Sequence, residues 1–153
     1  NKYDALSAFF SPCNHIIDNI FLGSTYNAAD WEMFKKLSIK KVINITEDVP
    51  NFYQEEEGIE YFNINITDDG SEDLDVTALD KMVKFVNSTN NDNILIHCLV
   101  GRSRSVSALC YILNKKYGKS IENSLLLIKN KRRFANPSKR FYNNLNSFCN
   151  KQN

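Results

Sequence analysis

The sequence has few of the residues that build metal centres and disulfide frameworks. Its 153 residues include four cysteines, none of them in a C-x-x-C pair, and only two histidines. This supply of ligands argues against a zinc site, and a chain of this length buries enough surface to fold without disulfides. Cysteines used in this way indicate a reducing compartment. We therefore expect no metal ion and no cofactor, and a cytoplasmic location with the nucleus as the alternative.

Long apolar runs are also missing. No stretch approaches the roughly 20 apolar residues that cross a bilayer, and the N-terminus has no signal-peptide pattern. The formal net charge is +1, without the basic excess that is typical of nucleic-acid-binding domains. We expect a monomeric domain that has neither nucleic acid nor a membrane as its partner.

Basic residues are absent from one part of the chain. Residues 47–80 contain twelve acidic side chains and neither Lys nor Arg, whereas residues 81–153 contain fourteen basic and two acidic side chains. Blocks of charge are commonly solvated faces. Alternatively, the fold places an acidic rim beside a basic pocket, an arrangement that would steer a charged substrate.

Proline and glycine are sparse, with three and five residues, and neither a linker nor a repeat divides the chain. We therefore predict one domain, residues 1–153. Segments rich in β-branched residues alternate with segments of helical periodicity. The predicted strand segments are 16–22, which forms either one short strand or a strand pair, 42–45, 59–66 and 93–97. The predicted helices are 27–37, 79–86, 105–117, 120–131 and 137–148. This alternation predicts a three-layer α/β fold with about five mostly parallel strands flanked by helices.

A tight loop follows the last strand segment and is named here the cysteine loop, residues 98–104. A loop between a buried strand and a helix can turn successive backbone N–H groups inward and bind an anion. Gly101 allows close approach of the backbone, and the planar guanidinium of Arg104 can grip two phosphate oxygens. The predicted phosphate-binding residues are Leu99, Val100, Gly101, Arg102, Ser103 and Arg104.

Cys98 lies at the floor of this predicted concavity. The positive field of the loop favours thiolate over thiol, so Cys98 is the predicted nucleophile toward a bound phosphate. Ser105 can hydrogen-bond the sulfur, and its position also fits a helix N-cap. His97 either orients Cys98 from the strand or is a buried core histidine, and Cys110 fits the apolar face of the next helix.

Residues 97–105 match the signature H-C-x-x-G-x-x-R-[ST] and so resemble the cysteine-dependent protein phosphatases. Their Ser-Arg-Ser ending resembles the dual-specificity branch. Residues 20–24 are similar to an early strand of that family, and residues 42–46 are similar to its V-x-N-x-T strand. The late R…P-N…F element resembles Arg133 followed by Asn136, Pro137 and Phe141, with Asn and Pro in the opposite order here.

The resemblance implies a phosphatase-like fold with a Cys-x5-Arg loop. It also implies metal-independent hydrolysis of phosphoserine, phosphothreonine and phosphotyrosine in proteins, through a cysteinyl-phosphate intermediate. A phosphoprotein is thus the expected partner. Arg104 would bind the phosphate, and Ser105 would stabilise the thiolate that leaves when water breaks the intermediate.

The family further implies an aspartate that donates a proton from a loop about thirty residues before the cysteine. Asp68 lies thirty residues before Cys98, after the pattern I-x-I-x-D, and Leu74 supplies the apolar residue that usually follows this loop. Asp69 stays the alternative if the sequences are aligned on the helix that ends near residue 86.

Other substrates remain open alternatives. The same chemistry serves phosphatases of phosphoinositides, RNA 5′-phosphates and polysaccharide phosphates. Lipid-type relatives usually carry Lys on the loop, where this chain has Leu99 and Arg102. A phosphate-binding module with weak or absent catalysis is the alternative from a different class, although such a module would be expected to have lost Cys98 or Arg104.

Overall fold

The computed structural model describes residues 2–67, 69–88 and 91–149. Helices and strands alternate along most of this part of the chain. In chain order the elements are α1 (Lys2–Phe10), β1 (Asn14–Ile17), β2 (Ile20–Gly23), α2 (Thr25–Ala28), α3 (Trp31–Leu37), β3 (Ile39–Asn44), β4 (Glu60–Asn63), α4 (Val76–Asn87), β5 (Asn93–His97), α5 (Arg104–Tyr117), α6 (Ile121–Lys131) and α7 (Lys139–Phe148). None of the described helices is long and apolar enough to cross a bilayer.

The five strands form one mixed sheet in the order β1-β2-β5-β3-β4. Strands β2, β5, β3 and β4 run parallel, and β1 pairs with β2 in the antiparallel direction. The central strand β5 is an apolar run because helices cover both faces of a parallel sheet. Ile94 and Ile96 pack into the larger core beneath α4 to α7, while Leu95 points to the opposite face and packs near Phe34 of α3. The predicted α/β fold is confirmed.

Several predicted boundaries differ from the structure. The strand predicted over residues 59–66 is shorter in the structure, where β4 covers only Glu60–Asn63. Its neighbour β3 ends at Asn44, whose carbonyl oxygen accepts a hydrogen bond from the Ile64 N–H, and pairing with β3 stops there. The helix predicted over residues 27–37 is two helices, since the Asp30 carboxylate accepts a hydrogen bond from Met33 N and starts α3 anew. Helix α1 was not predicted, and Ala8 is its only buried residue.

Helix α5 follows the central strand and is the most deeply buried helix. All ten residues from Arg104 to Leu113 are buried, because α5 packs against α4, α6 and α7 as well as the sheet. The cysteine loop therefore joins the central strand to the central helix. Both ends of the loop are held by the core, which gives the loop a rigid base.

Candidate active site

Cys98 lies at the carboxyl end of β5, and only 3% of it is exposed. Its Sγ accepts a hydrogen bond from Gly101 N at 3.3 Å. The Ser105 Oγ lies 3.1 Å from the same sulfur. One backbone donor and one hydroxyl therefore face the thiol, and both can stabilise a thiolate. Ser103 occupies the N-cap position of α5, so the N-cap interpretation of Ser105 is wrong.

Five successive carbonyl groups of the cysteine loop are each bonded to a donor outside the loop. Cys98 O accepts from Thr25 Oγ1 at 3.2 Å, Leu99 O from Thr25 N at 3.0 Å, Val100 O from Arg132 Nη2 at 3.1 Å, Gly101 O from Arg132 Nε at 2.8 Å and Arg102 O from Asn136 N at 2.7 Å. In a trans peptide the carbonyl and the next N–H point in opposite directions. The N–H groups of residues 99–103 are thereby turned to the opposite side, which forms an anion-binding concavity.

Gly101 is required at the tightest point of this loop. Its φ of +78° lies in the left-handed region, which favours glycine. A Cβ atom at this position would also lie 2.6 Å from the carbonyl oxygen of Gly23. The loop therefore approaches the end of β2 too closely to accommodate any side chain.

Arg104, the first residue of α5, is 2% exposed. Its Nη1 donates to the carbonyl oxygen of Ile66 at 2.8 Å and lies 4.0 Å from the exposed Asp48 carboxylate. These contacts place the guanidinium between the cysteine loop and the acidic stretch of residues 47–80. The acidic stretch therefore reaches the site, as the alternative interpretation of the charge pattern expects.

Three other predicted phosphate-binding residues lie at the rim. Leu99 is 38% exposed. Arg102 turns toward the connection between α6 and α7, where its Nε donates to Phe134 O at 3.1 Å. The Ser103 hydroxyl accepts a hydrogen bond from Ser138 N at 2.9 Å and so braces the start of α7. Their side chains support or border the loop, and it is their backbone N–H groups that can face an anion.

The predicted proton donor Asp68 lies outside the described residues. Its alternative, Asp69, accepts hydrogen bonds from Ser71 Oγ at 2.6 Å, Ser71 N at 2.9 Å and Thr67 Oγ1 at 2.8 Å. Led by the Ser71 hydroxyl, these bonds lower the pKa of Asp69 to about 2. Asp69 is therefore an ionised acceptor within its own loop near neutral pH, the opposite of what a proton donor requires.

His97 is a buried residue behind the nucleophile. Its Nδ1 lies 3.3 Å from Cys98 O, and burial lowers its pKa to about 4. The imidazole is therefore neutral near pH 7. This contact fits the interpretation that His97 orients Cys98 from the strand.

Arg132 is the loop contact that the sequence interpretation missed. The late family element was matched to the neighbouring Arg133, but Arg133 is exposed and its guanidinium lies over the Phe134 ring at 4.4 Å. Arg132 is 2% exposed and binds two carbonyls of the loop. Helical periodicity could have found it, because Arg132 follows Ile128 by four residues on the inward face that continues from α6.

Side chains that could bind a metal ion are not clustered in the part of the chain that the structure describes. In residues 2–67, 69–88 and 91–149, no three His, Cys, Asp or Glu side chains are grouped so that they could hold a metal ion. What the arrangement offers is a concave row of backbone donors, an arginine beside it and a thiol at its floor. These groups suit the binding of a tetrahedral anion and nucleophilic attack on it.

Known proteins show the same domain. A family model described as "Dual specificity phosphatase, catalytic domain" matches residues 20–151. The chain is 33% identical over 141 residues to the dual specificity protein phosphatase Mpk3 of Drosophila melanogaster, covering 90% of this chain and 34% of that protein. It is 31% identical over 135 residues to human dual specificity protein phosphatase 9, covering 87% of this chain and 35% of that protein. The chain thus spans about a third of these relatives.

The fold is shared with a solved crystal structure. The crystal structure of human DUSP28 superposes with a TM-score of 0.82 at 22% sequence identity, and the match covers 90% of this chain and 93% of that one. At this identity the likeness supports the fold alone. The family match over residues 20–151 agrees with the resemblance drawn from the cysteine signature, and the chain therefore belongs to the dual specificity phosphatase catalytic-domain family.

Proposed function

We propose that this chain hydrolyses phosphoserine, phosphothreonine and phosphotyrosine in proteins through a cysteinyl-phosphate on Cys98, without a metal ion. The observation that carries the proposal is the position of the Cys98 sulfur in a loop whose carbonyl groups, from residue 98 to residue 102, accept hydrogen bonds from donors outside the loop. A phosphate that accepts the N–H groups of residues 99–103 would bring its phosphorus against that sulfur. The names of the curated relatives, which are protein phosphatases, support a protein substrate.

In the first step the Cys98 thiolate attacks phosphorus as the bond from phosphorus to the substrate oxygen breaks. The departing oxygen takes a proton from Asp68. The loop N–H groups and Arg104 stabilise the charge on the three phosphoryl oxygens, and because these donors are already in place, little reorganisation is needed. The products of this step are the dephosphorylated side chain and a phosphocysteine.

In the second step water attacks phosphorus and the bond between sulfur and phosphorus breaks. Asp68, now a carboxylate, accepts the proton of the water. The Ser105 hydroxyl, which lies 3.1 Å from the sulfur, stabilises the thiolate as it leaves. Inorganic phosphate is released and the loop returns to its starting state.

This mechanism predicts hydrolysis that is insensitive to chelation. Turnover of p-nitrophenyl phosphate should be unchanged in excess chelator, because each step uses side chains and backbone donors of this chain. Acid quenching during turnover should trap one phosphoryl group on the peptide that contains Cys98, detected by mass spectrometry. Loss of activity on chelation that added metal restores would contradict the proposal, as would a label on another residue.

The charge around the site predicts a preference among substrates. Basic residues beside the phosphorylated side chain should raise kcat/KM roughly tenfold at low salt, because the acidic stretch borders the cysteine loop at Asp48. Phosphopeptides that differ only by Lys, Ala or Glu at the flanking positions would measure it. The preference should shrink as ionic strength rises. Equal rates for the three peptides at low salt would contradict this prediction.

A further inference from the structure

We propose that Arg132 is a positioning residue of the reaction: it holds two peptide groups of the cysteine loop in the phosphate-binding orientation and places a buried positive charge behind the nucleophile. This inference rests on the proposed function, because it assigns a role in the same site. Arg132 lies 34 residues after Cys98. Its side chain contacts the backbone carbonyls of the loop from the side opposite the inward-turned N–H groups.

The Arg132 guanidinium has all of its donors engaged. A guanidinium carries five N–H groups, and Arg132 makes five hydrogen bonds in the structure. Nε donates to Gly101 O at 2.8 Å, Nη2 to Ala8 O at 2.8 Å and Val100 O at 3.1 Å, and Nη1 to Asn14 Oδ1 at 2.9 Å and Pro12 O at 3.3 Å. The orientation of the side chain is thus determined on both sides, by the loop on one side and by α1, the start of β1 and the segment between them on the other.

One peptide group connects Arg132 directly to the nucleophile. The carbonyl of Val100 accepts from Arg132, and the N–H of the same peptide group, on Gly101, donates to Cys98 Sγ at 3.3 Å. The next peptide group is held in the same way through Gly101 O. Arg132 therefore orients two of the five inward-turned N–H groups.

The loop needs such an anchor at this point. Gly101 is required there because a Cβ would meet the Gly23 carbonyl, yet glycine restrains its own torsion angles less than any other residue. Without the two bonds from Arg132, the peptide groups on either side of Gly101 could rotate and present carbonyl oxygens to the phosphate. A carbonyl oxygen facing a phosphate oxygen is repulsive, so phosphate affinity and rate would both fall.

The charge of Arg132 adds a second contribution. All five of its acceptors are neutral oxygens, so none of these bonds compensates the positive charge with a negative one. Burial lowers the pKa of Arg132, whereas the nearby Cys98 raises it. The guanidinium therefore places a positive charge behind the loop, and this charge attracts a bound phosphate anion. Burying a charge carries a desolvation penalty. The position of this charge behind the phosphate-binding loop gives it a role in the reaction.

The test compares Arg132→Met, Arg132→Lys and Asn14→Ala. Lysine keeps the charge and part of the hydrogen bonding, whereas methionine keeps neither. Asn14→Ala is the matched control, because it removes a bond on the far side of the same guanidinium while the bonds to the loop remain. For each variant, thermal unfolding reports stability, calorimetry reports the Kd of inorganic phosphate, and p-nitrophenyl phosphate reports kcat and KM, all at a temperature where the protein is folded.

Arg132→Met should lower kcat on the order of 100-fold and weaken phosphate binding roughly tenfold or more. Arg132→Lys should recover part of both. Asn14→Ala should lower the unfolding temperature but leave kcat and phosphate Kd close to wild type. If Arg132→Met does not fold, Arg132→Lys compared with Asn14→Ala decides the matter, because a purely structural anchor would change stability in both and kcat in neither.

Two results would overturn the proposal. One is a folded Arg132→Met or Arg132→Lys protein with wild-type kcat and wild-type phosphate Kd. The other is an Asn14→Ala protein that loses as much kcat as the Arg132 variants. A wild-type protein that binds inorganic phosphate but turns over no phosphate ester would instead contradict the proposed function, and the phosphate Kd values would still test the positioning role.

Discussion

Cys98→Ser is expected to lower kcat for p-nitrophenyl phosphate by on the order of 10⁴- to 10⁶-fold. A serine hydroxyl ionises far less readily than a thiol, and the Nδ1 atom of the neighbouring His97 faces the Cys98 carbonyl oxygen and not the side chain at position 98. The variant should fold, since Ser and Cys differ little in size and Gly101 N and Ser105 Oγ can still bond the new hydroxyl. Phosphate binding should persist in the variant, because the loop N–H groups and Arg104 are unchanged.

Steady-state kinetics with calorimetric binding of inorganic phosphate would check this expectation. Cys13→Ser is the matched control, because Cys13 is half-buried and carries no step of the mechanism. It should leave kcat within a few-fold of wild type. A Cys98→Ser protein that keeps more than a hundredth of the wild-type kcat would exclude the cysteine as the nucleophile.

Asp68→Asn is expected to lower kcat by about 10²- to 10⁴-fold, the usual contribution of a general acid. The loss should be greater for alkyl phosphates such as phosphoserine than for p-nitrophenyl phosphate, because a poor leaving group depends more on the donated proton. The pH dependence should change as well. A general acid must be protonated, so wild-type kcat should fall as pH rises through the pKa of that acid, and this descending limb should disappear in Asp68→Asn.

Asp69→Asn is the control that separates the two neighbouring aspartates. Hydrogen bonds from the Ser71 hydroxyl, the Ser71 N–H and the Thr67 hydroxyl lower the pKa of Asp69 to about 2, so it holds no proton to donate near neutral pH. Its substitution should change kcat only a few-fold, through the shape of the loop. An Asp69→Asn protein that loses the descending limb while Asp68→Asn keeps it would reverse the assignment.

The fold could be predicted to the level of its class. The apolar run of β5 and the helical periodicity of α4 to α7 are local signals, and these elements lie close to where they were expected. Strand pairing is not a local signal, because it depends on contacts between residues far apart in the chain. The place of β2 beside β5, and the antiparallel β1 at the edge, were therefore visible only in the structure.

The candidate site was predictable to the extent that it is contiguous. Cys98, Gly101, Arg104 and Ser105 lie within eight residues, and a strand, a tight loop and a helix suffice to bring them together. Asp68 lies outside this contiguous motif and was chosen because the family resemblance implies an aspartate about thirty residues before the cysteine. The role of Asp68 as proton donor stays a prediction. The preference for Asp68 over Asp69 gains support from the hydrogen bonds that Asp69 makes within its own loop.

By itself, the sequence determined the α/β class, the family resemblance and the residues of the cysteine loop, because periodicity and a short motif are properties of neighbouring residues. Only the tertiary structure decided which donors form hydrogen bonds with the carbonyl groups of the loop. Those donors, on Thr25, Arg132 and Asn136, come from three distant segments. Each backbone carbonyl needs a partner once it is buried, and a motif does not specify which residue the fold will bring to it.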